Sequence, residues 1–351
     1  TMPQRYFSFN QEANEIEEFD NVQIKRIKLP SHHSRFLDQS WAFFHYMAKT
    51  LIEVKKKKYD IVFATSSRLF TAFMGALIAR NKNIPLYLDI RDIFTDNLSS
   101  VLKNKVTRVL IFFLQLIEKY TINSATKINL VSKGFKTYFE NINDKVDYSF
   151  LTNGIDNEFL NFDFSKSRTN GKIIITYAGN IGEGQGLEKI VPNMALSLGD
   201  NYEIRIIGAG GMRNVLEKRL QKCNIGNVKI YDPVDREKPL RFYKNTDYLL
   251  LHLNNYDAFK RVLPSKIFEY GATRKPTIAG VSGYAAKFIN KYLGHNWLVF
   301  EPANIRDFER KFHNFEPGES DIKSFLDRFN RKTLMSLLAK DVIGVVRSFN
   351  I

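Results

Sequence analysis

Tyr177-Ala178-Gly179-Asn180-Ile181-Gly182-Glu183-Gly184-Gln185-Gly186-Leu187 is the stretch from which the fold is read. It follows residues 172–178, an isoleucine-rich run with the length of a buried parallel strand, and precedes residues 187–198, which read as a helix. Strand, glycine loop and helix in that order open an α/β domain. Four glycines let the backbone come close to a ligand, and the N–H groups at the helix start can hold a diphosphate. The alternative is a tight turn needing positive φ, for which one or two glycines would suffice. The spacing is neither a dinucleotide fingerprint nor a P-loop: no Gly-Lys-Ser/Thr follows, and no acidic residue ends the next strand at Ile207. Nicotinamide chemistry and ATP hydrolysis lose weight accordingly.

Strand and helix alternate on both sides of this loop. Downstream, strands are predicted at 202–207, 228–231, 248–252 and 276–279, with a second glycine cluster at Gly208, Gly210 and Gly211. Helices run through Cys223, near 239–244, and over 265–273 and 283–292. Upstream, strands at 59–64, 85–90 and 126–131 alternate with helices at 41–54, 69–81, 101–120 and around 134–140, after an alternating strand at 22–27. Asn153-Gly154 marks a turn and the polar segment 164–171 a linker. The pattern predicts two Rossmann-like domains facing a cleft: residues 1–164, short of their first β-α unit, and residues 165–325. Residues 326–351 form a helical tail expected to pack back on the first domain. The opening Thr1-Met2-Pro3-Gln4 has neither a signal peptide nor an opening strand, so residues are expected upstream.

Composition narrows the function classes. With 351 residues, 44% hydrophobic and 25% charged, the chain is a folded globular protein rather than a disordered or fibrous one. The single cysteine, Cys223, excludes an intramolecular disulfide framework and a thiolate metal cluster, and fits a reducing, cytoplasmic setting. The apolar run 109–114 stops at Gln115, far below the ~20 residues of a membrane span. The pair His32 and His33 has no carboxylate or third histidine nearby and reads as a solvated loop rather than a metal site. Lys and Arg number 52 against 37 Asp and Glu, so the net charge of +15 calls for an anionic partner: nucleic acid, lipid headgroups or a phosphate-bearing substrate.

A second constellation bears on that choice. Leu263-Pro264-Ser265-Lys266-Ile267-Phe268-Glu269-Tyr270 puts a proline and serine at a helix start and an ammonium and a carboxylate three apart on one face. A cation for phosphate and an acceptor for sugar hydroxyls then sit side by side; an ordinary surface ion pair is the alternative. In the helix at 101–120, Leu102, Val106, Val109, Leu110, Phe113, Leu116, Ile117 and Tyr120 form an apolar stripe, while Ile111, Phe112 and Leu114 add bulk outside it. With Lys103, Lys105, Arg108 and the run 55–58, this surface could rest on anionic lipid, or the helix could be buried on both sides.

Together the two constellations resemble the retaining glycosyltransferases of family 4, which have the GT-B fold. The branch they look like is the bacterial polysaccharide one, similar to the N-acetyl-L-fucosamine transferases of O-antigen and capsule assembly. Residues 177–187 match that family's donor loop and 263–270 its donor helix; Asp89-Ile90-Arg91-Asp92 is similar to its Asp-x-Arg-Asp stretch and 151–156 to its interdomain segment. The resemblance makes residues 1–164 the acceptor-side domain and 165–325 the nucleotide-sugar donor domain. It implies that Gly179, Asn180, Ile181, Gly182, Gln185, Gly186 and Gly208 face the donor diphosphate, and that Lys266 neutralises it from a helix starting at Ser265. By the same resemblance Glu269 binds the ribose and the segment at Val234 meets the base through its backbone. Two departures stand out. Arg261 occupies the position of the usual glutamate, so the usual contact to the donor sugar is not carried over. Asn180 and Gln185 stand where relatives often have basic residues, leaving more phosphate charge to Lys266 and Arg261.

A departing nucleoside diphosphate gathers negative charge, which a helix start and Lys266 would stabilise without a metal or other cofactor. The resemblance implies retention by front-face attack of the acceptor hydroxyl. Asp92 and Lys266 are the candidate catalytic residues, Asp92 positioning or deprotonating the acceptor; pairing with Arg91 or capping the next helix is the alternative for Asp92. The expected partners are a nucleotide-sugar, a UDP-sugar first, and a lipid-linked saccharide at the inner membrane surface, with no nucleic acid. A nucleic-acid-binding protein and a non-catalytic sugar-nucleotide-binding subunit are the competing readings.

Overall fold

The computed structural model describes residues 14–30, 36–66, 68–93, 95, 105–165, 171–234, 238–318 and 322–349. Among them β1 (Ile16–Phe19) and β2 (Val22–Lys25) form an antiparallel hairpin turned at Asp20, whose φ of 49° is left-handed. The strand predicted at 22–27 is therefore one arm of a separate ribbon and not part of a larger sheet. The first sheet runs β3 (Val62–Ser66), β4 (Leu86–Ile90), β5 (Lys127–Leu130) and β6 (Asp147–Ser149), all parallel and in chain order. The five residues of β4 are all buried, Asp89 among them, as befits a strand paired on both sides in a parallel sheet.

The second sheet contains β7 (Ile173–Ala178), β8 (Tyr202–Ile207), β9 (Val228–Tyr231), β10 (Tyr248–His252), β11 (Thr277–Gly280) and β12 (Trp297–Phe300). Its order, β12-β11-β10-β7-β8-β9, is parallel throughout. The chain leaves β7 in one direction and returns to the other side of it at β10. Between these two strands lies the switch point, the place where doubly wound sheets bind ligands beyond their strand ends. Both sheets are the two Rossmann-like units that the alternating pattern predicts. The helix Leu187–Leu198 turns Leu187, Ile190, Val191, Met194 and Ala195 onto the sheet at helical spacing, which fixes its start against the glycine loop.

Strands β6 and β12 were not legible in the sequence. The first is three residues of mostly polar character, and the second is a four-residue apolar run directly after a helix, where period and length decide little. Predicted helix 101–120 is observed as Lys105–Asn123, its first residues 101–104, including Leu102 and Lys103, lying outside the described residues. His32, His33 and linker residues 166–170 lie outside them as well.

The chain crosses between the two sheets more than once. Ile155, Phe159 and Phe164 pack into the core that also holds Leu249 and Phe268. Phe268 stacks on Phe325, with ring centroids 6.2 Å apart, and packs edge-on to Phe329 and Phe288 at 5.3 and 5.6 Å. Deleting a ring so enclosed costs about 3–5 kcal/mol, so the helix Lys266–Ala272 is rigidly seated. The last helix, Arg331–Phe349, reaches the first sheet: Asp341 accepts from the Tyr87 hydroxyl at 2.6 Å and pairs with Lys127 at 2.6 Å.

Candidate active site

The loop after β7 is wired from within and from both neighbouring strands. Gly179 N–H donates to Ile207 O (2.9 Å) and Ile181 N–H to Ala209 O (2.8 Å), tying the loop to the end of β8. Gly208 belongs to this close approach, since a Cβ there would overlap the Gly179 carbonyl. Asn180 Nδ2 and Gly182 N–H both donate to Gln185 Oε1, at 3.0 and 3.2 Å, and close the turn. Gly186, with φ of 59°, passes the chain into the helix beside Asn254. The Asn180 and Gln185 amides thus shape the loop where a basic pair would have carried charge.

The extension of β10 holds the other side. Asn254 N–H donates to Gly184 O at 2.8 Å, its Nδ2 to Glu183 O at 2.8 Å, and its Oδ1 accepts from Lys189 Nζ at 2.9 Å. The fully buried His252 ring donates from Nδ1 to Gln185 O at 2.6 Å. Sequence reasoning missed both residues. The signal was present as two polar residues ending an otherwise apolar strand opposite a glycine loop.

Lys266 is brought against this loop, as are Glu269 and a set of tyrosines. Its Nζ donates to Glu269 Oε2 at 2.7 Å and to the Tyr243 hydroxyl at 3.3 Å, 5.7 Å from the Tyr270 ring centroid. A Cβ on Gly179 would stand 3.5 Å from Lys266 Cε. Burial by itself would lower the Lys266 pKa, but the Glu269 carboxylate hydrogen-bonded to it helps to outweigh this, and the pKa lies above the ordinary lysine value. The ammonium therefore stays charged. Burial pushes Tyr243 and Tyr270 well up, so both phenols stay neutral. Tyr177 donates to Asn180 O at 2.6 Å and secures the loop's first turn.

The remaining predicted donor residues divide. Ser265 is exposed at the N-terminus of the Lys266 helix, has helical dihedrals and makes no side-chain capping bond. Arg261 ends the short 3-10 turn Asp257–Arg261, and its carbonyl accepts from Ser132 Oγ of the first unit at 2.5 Å, so the two units meet beside the loop. Val234 is half-buried and packs against the core around Phe268.

Asp92 lies on the facing unit, past the end of β4, where it lines a small cavity with Ser66, Arg68 and Glu118. Its Oδ1 accepts from Ile93 N–H at 2.9 Å. Arg91 turns to Asp89 (Nε to Oδ2, 3.0 Å) and to Asn153 Oδ1 at 3.0 Å. Asp89, fully buried, also accepts from Thr65 Oγ1 and Asn129 Nδ2, each at 2.8 Å. One carboxylate thus joins three strands, and Arg91 carries the network on to Asn153, a connection that no local spacing reveals. Among the described residues no three His, Cys, Asp or Glu side chains are grouped to hold a metal ion. Nor, among them, is any helix long and apolar enough to cross a membrane.

Comparison with known proteins agrees with this geometry. Residues 159–329 match the family Glycosyl transferases group 1. A stretch of 102 residues is 33% identical to the protein assigned as colanic acid biosynthesis glycosyl transferase WcaI of Escherichia coli (strain K12). That stretch spans 27% of this chain and 23% of that one. Among solved structures, sucrose-phosphate synthase from Thermosynechococcus elongatus superposes with a TM-score of 0.74 at 12% identity, covering 95% of this chain and 86% of its own. HepE of Anabaena, in complex with UDP-glucose, gives 0.65 at 13% identity over 90% and 85%. The lipopolysaccharide outer core galactosyltransferase WaaB gives 0.63 at 14% identity over 87% and 81%. Residues 159–329 thus match a Glycosyl transferases group 1 domain, and the chain as a whole shares the two-domain GT-B fold of these solved structures.

Proposed function

We propose that the chain moves a sugar from a nucleoside diphosphate donor, a UDP-sugar, to a lipid-linked saccharide during bacterial surface polysaccharide synthesis, with retention and without a metal. One observation carries the reading. A charged, mostly buried lysine and its carboxylate partner stand against a four-glycine loop at the switch point of the second sheet. In this reading the diphosphate enters between the loop and Lys266, breaking the Lys266–Glu269 pair. The ammonium then faces the phosphate oxygens and Glu269 is released to the ribose hydroxyls. Charge gathering on the leaving diphosphate meets a half-buried cation held in place by its neighbours. Asp92, across the cleft, orients the attacking hydroxyl. The UDP-glucose complex of HepE supports a UDP donor, and the colanic acid assignment of WcaI supports a polysaccharide product. An N-acetyl-L-fucosamine-type donor rests on the resemblance in the donor motifs alone.

Docking at the inner membrane surface completes the reading. The helix Lys105–Asn123 buries Leu114, Glu118, Thr121 and Ile122, while Val109, Phe112, Phe113 and Leu116 face outward. Three members of the predicted stripe, Val109, Phe113 and Leu116, are thereby on the exposed side and Leu114 on the buried one. The outward side thus draws on the stripe as well as on Phe112 outside it. On the helix Phe36–Lys55, Trp41 (66% exposed), Phe44 and Ile52 (74%) are exposed as well, and that helix ends at the exposed lysines 55–58. Apolar side chains rimmed by lysines suit an anionic lipid surface.

The test incubates purified protein with UDP-, GDP- and dTDP-sugars and a lipid extract and follows nucleoside diphosphate release. Turnover with one donor only when lipid is present supports the reading. Absence of turnover with every donor overturns it.

A further inference from the structure

Below the donor loop lies a buried side chain with two defined hydrogen bonds that the proposed chemistry does not use. His252 ends β10, has no exposed surface, and sits between the glycine loop and the segment after β12. Its Nδ1 is 2.6 Å from Gln185 O and its Nε2 is 2.9 Å from Ala303 N. A carbonyl oxygen only accepts and a backbone N–H only donates, so the ring must carry its proton on Nδ1 and present a lone pair at Nε2. Only the neutral ring meets both partners. Burial, the largest influence, lowers its pKa to about 4, which keeps that tautomer through the neutral range. Gly280, on β11 alongside, leaves room for the ring, since a Cβ there would overlap the imidazole. Ala303 has a left-handed φ of 57°, so the Nε2 bond holds a backbone conformation that alanine rarely takes.

We infer that His252 is a positioning residue for the donor diphosphate, acting through the Gln185 carbonyl to hold the 182–186 turn in its binding shape. The inference rests on the donor-site reading above and extends it to a residue outside the cleft. Gln185 is the loop's pivot: its side chain gathers Asn180 and Gly182, and its carbonyl is held from below by the ring. Without the Nδ1 bond the carbonyl loses its partner on the side facing the buried ring, and the turn moves to satisfy it.

Two substitutions separate the two nitrogens. In His252→Asn the amide reaches the Nδ1 position and keeps the donation to Gln185 O. In His252→Gln the amide reaches the Nε2 position, keeps an acceptor for Ala303 N–H and loses the loop. Both remove the same ring packing against Phe300. Isothermal titration with UDP and hydrogen exchange of a peptide spanning 179–186 are read on both variants and on the unaltered chain. The inference predicts about tenfold weaker UDP binding and faster loop exchange in His252→Gln. It predicts affinity within about twofold and near-native exchange in His252→Asn. Equal behaviour of the two variants in both measurements overturns it, since a purely structural ring would not distinguish them. The exchange measurement needs no ligand. Failure of the unaltered chain to bind UDP, GDP or dTDP therefore strikes the donor-site reading, while the exchange contrast still decides the role of His252.

Discussion

The two sheet edges that face the cleft are built by different means. On the second sheet the edge is backbone, a glycine loop stitched to β8 and β10 by main-chain bonds and approached by one lysine. On the first it is side chain, with Asp89 binding Thr65, Asn129 and Arg91, and Arg91 reaching on to Asn153. A backbone edge accepts phosphate oxygens through N–H groups and leaves room for a bulky donor. A side-chain edge fixes the direction of a few polar groups, which suits the proposed task of orienting one hydroxyl. The contrast predicts that damage to the first edge falls on stability and damage to the second on donor affinity.

The largest effect should follow Asp89→Ala, which leaves the Asn129 amide and the Arg91 guanidinium without their buried acceptor. Urea unfolding should show a loss of about 3 kcal/mol, with UDP affinity of the folded protein unchanged. A fall in UDP affinity would break the contrast. Next, Lys266→Ala should lower UDP affinity about a hundredfold, roughly 2.7 kcal/mol, while shifting the urea midpoint little. Glu269→Gln should cost about tenfold, roughly 1.4 kcal/mol, because a neutral amide accepts ribose hydroxyls less strongly than a carboxylate. If Glu269→Gln costs as much as Lys266→Ala, the two side chains act as one unit and the assigned division of labour fails.

The smallest effect concerns the link between the last helix and the first sheet. Burial alone would raise the Asp341 pKa, but Lys127 and Tyr87 outweigh it, so in the folded protein it lies below the ordinary 3.8. A depressed carboxylate contributes stability above its unfolded value, and that contribution is lost as pH falls through the folded one. Thermal melts from pH 6 to pH 3 should therefore fall more steeply for the unaltered chain than for Asp341→Asn, the curves converging at the acid end. Parallel curves would remove Asp341 from the link.

The same contrast explains what could be read in advance. Four glycines between an isoleucine strand and an amphipathic helix announce the second domain, and Lys266 with Glu269 announces a polar helix start, because all of these are local in sequence. The Asp89 network draws on Thr65, Asn129 and Asn153, more than twenty residues from Asp89, and exists only once β3, β4 and β5 are paired. His252 is hidden for the same reason, since its partners Gln185 and Ala303 lie 67 and 51 residues away. Strand β12 was lost because Trp297–Phe300 is too short for period to choose between helix and strand, and only its pairing with β11 decides. The outward facing of Phe113 and Leu116, two members of the stripe, was hidden for another reason. The helix is apolar on more than one side, so spacing alone could not say which side meets the sheet.

The central claim is that a nucleoside diphosphate binds between the 179–186 loop and Lys266. A crystal structure of the protein soaked with UDP tests it most directly. The account predicts the two phosphates against the loop amides, with Lys266 Nζ turned from Glu269 onto a phosphate oxygen. UDP bound elsewhere, with the Lys266–Glu269 pair intact, would contradict it.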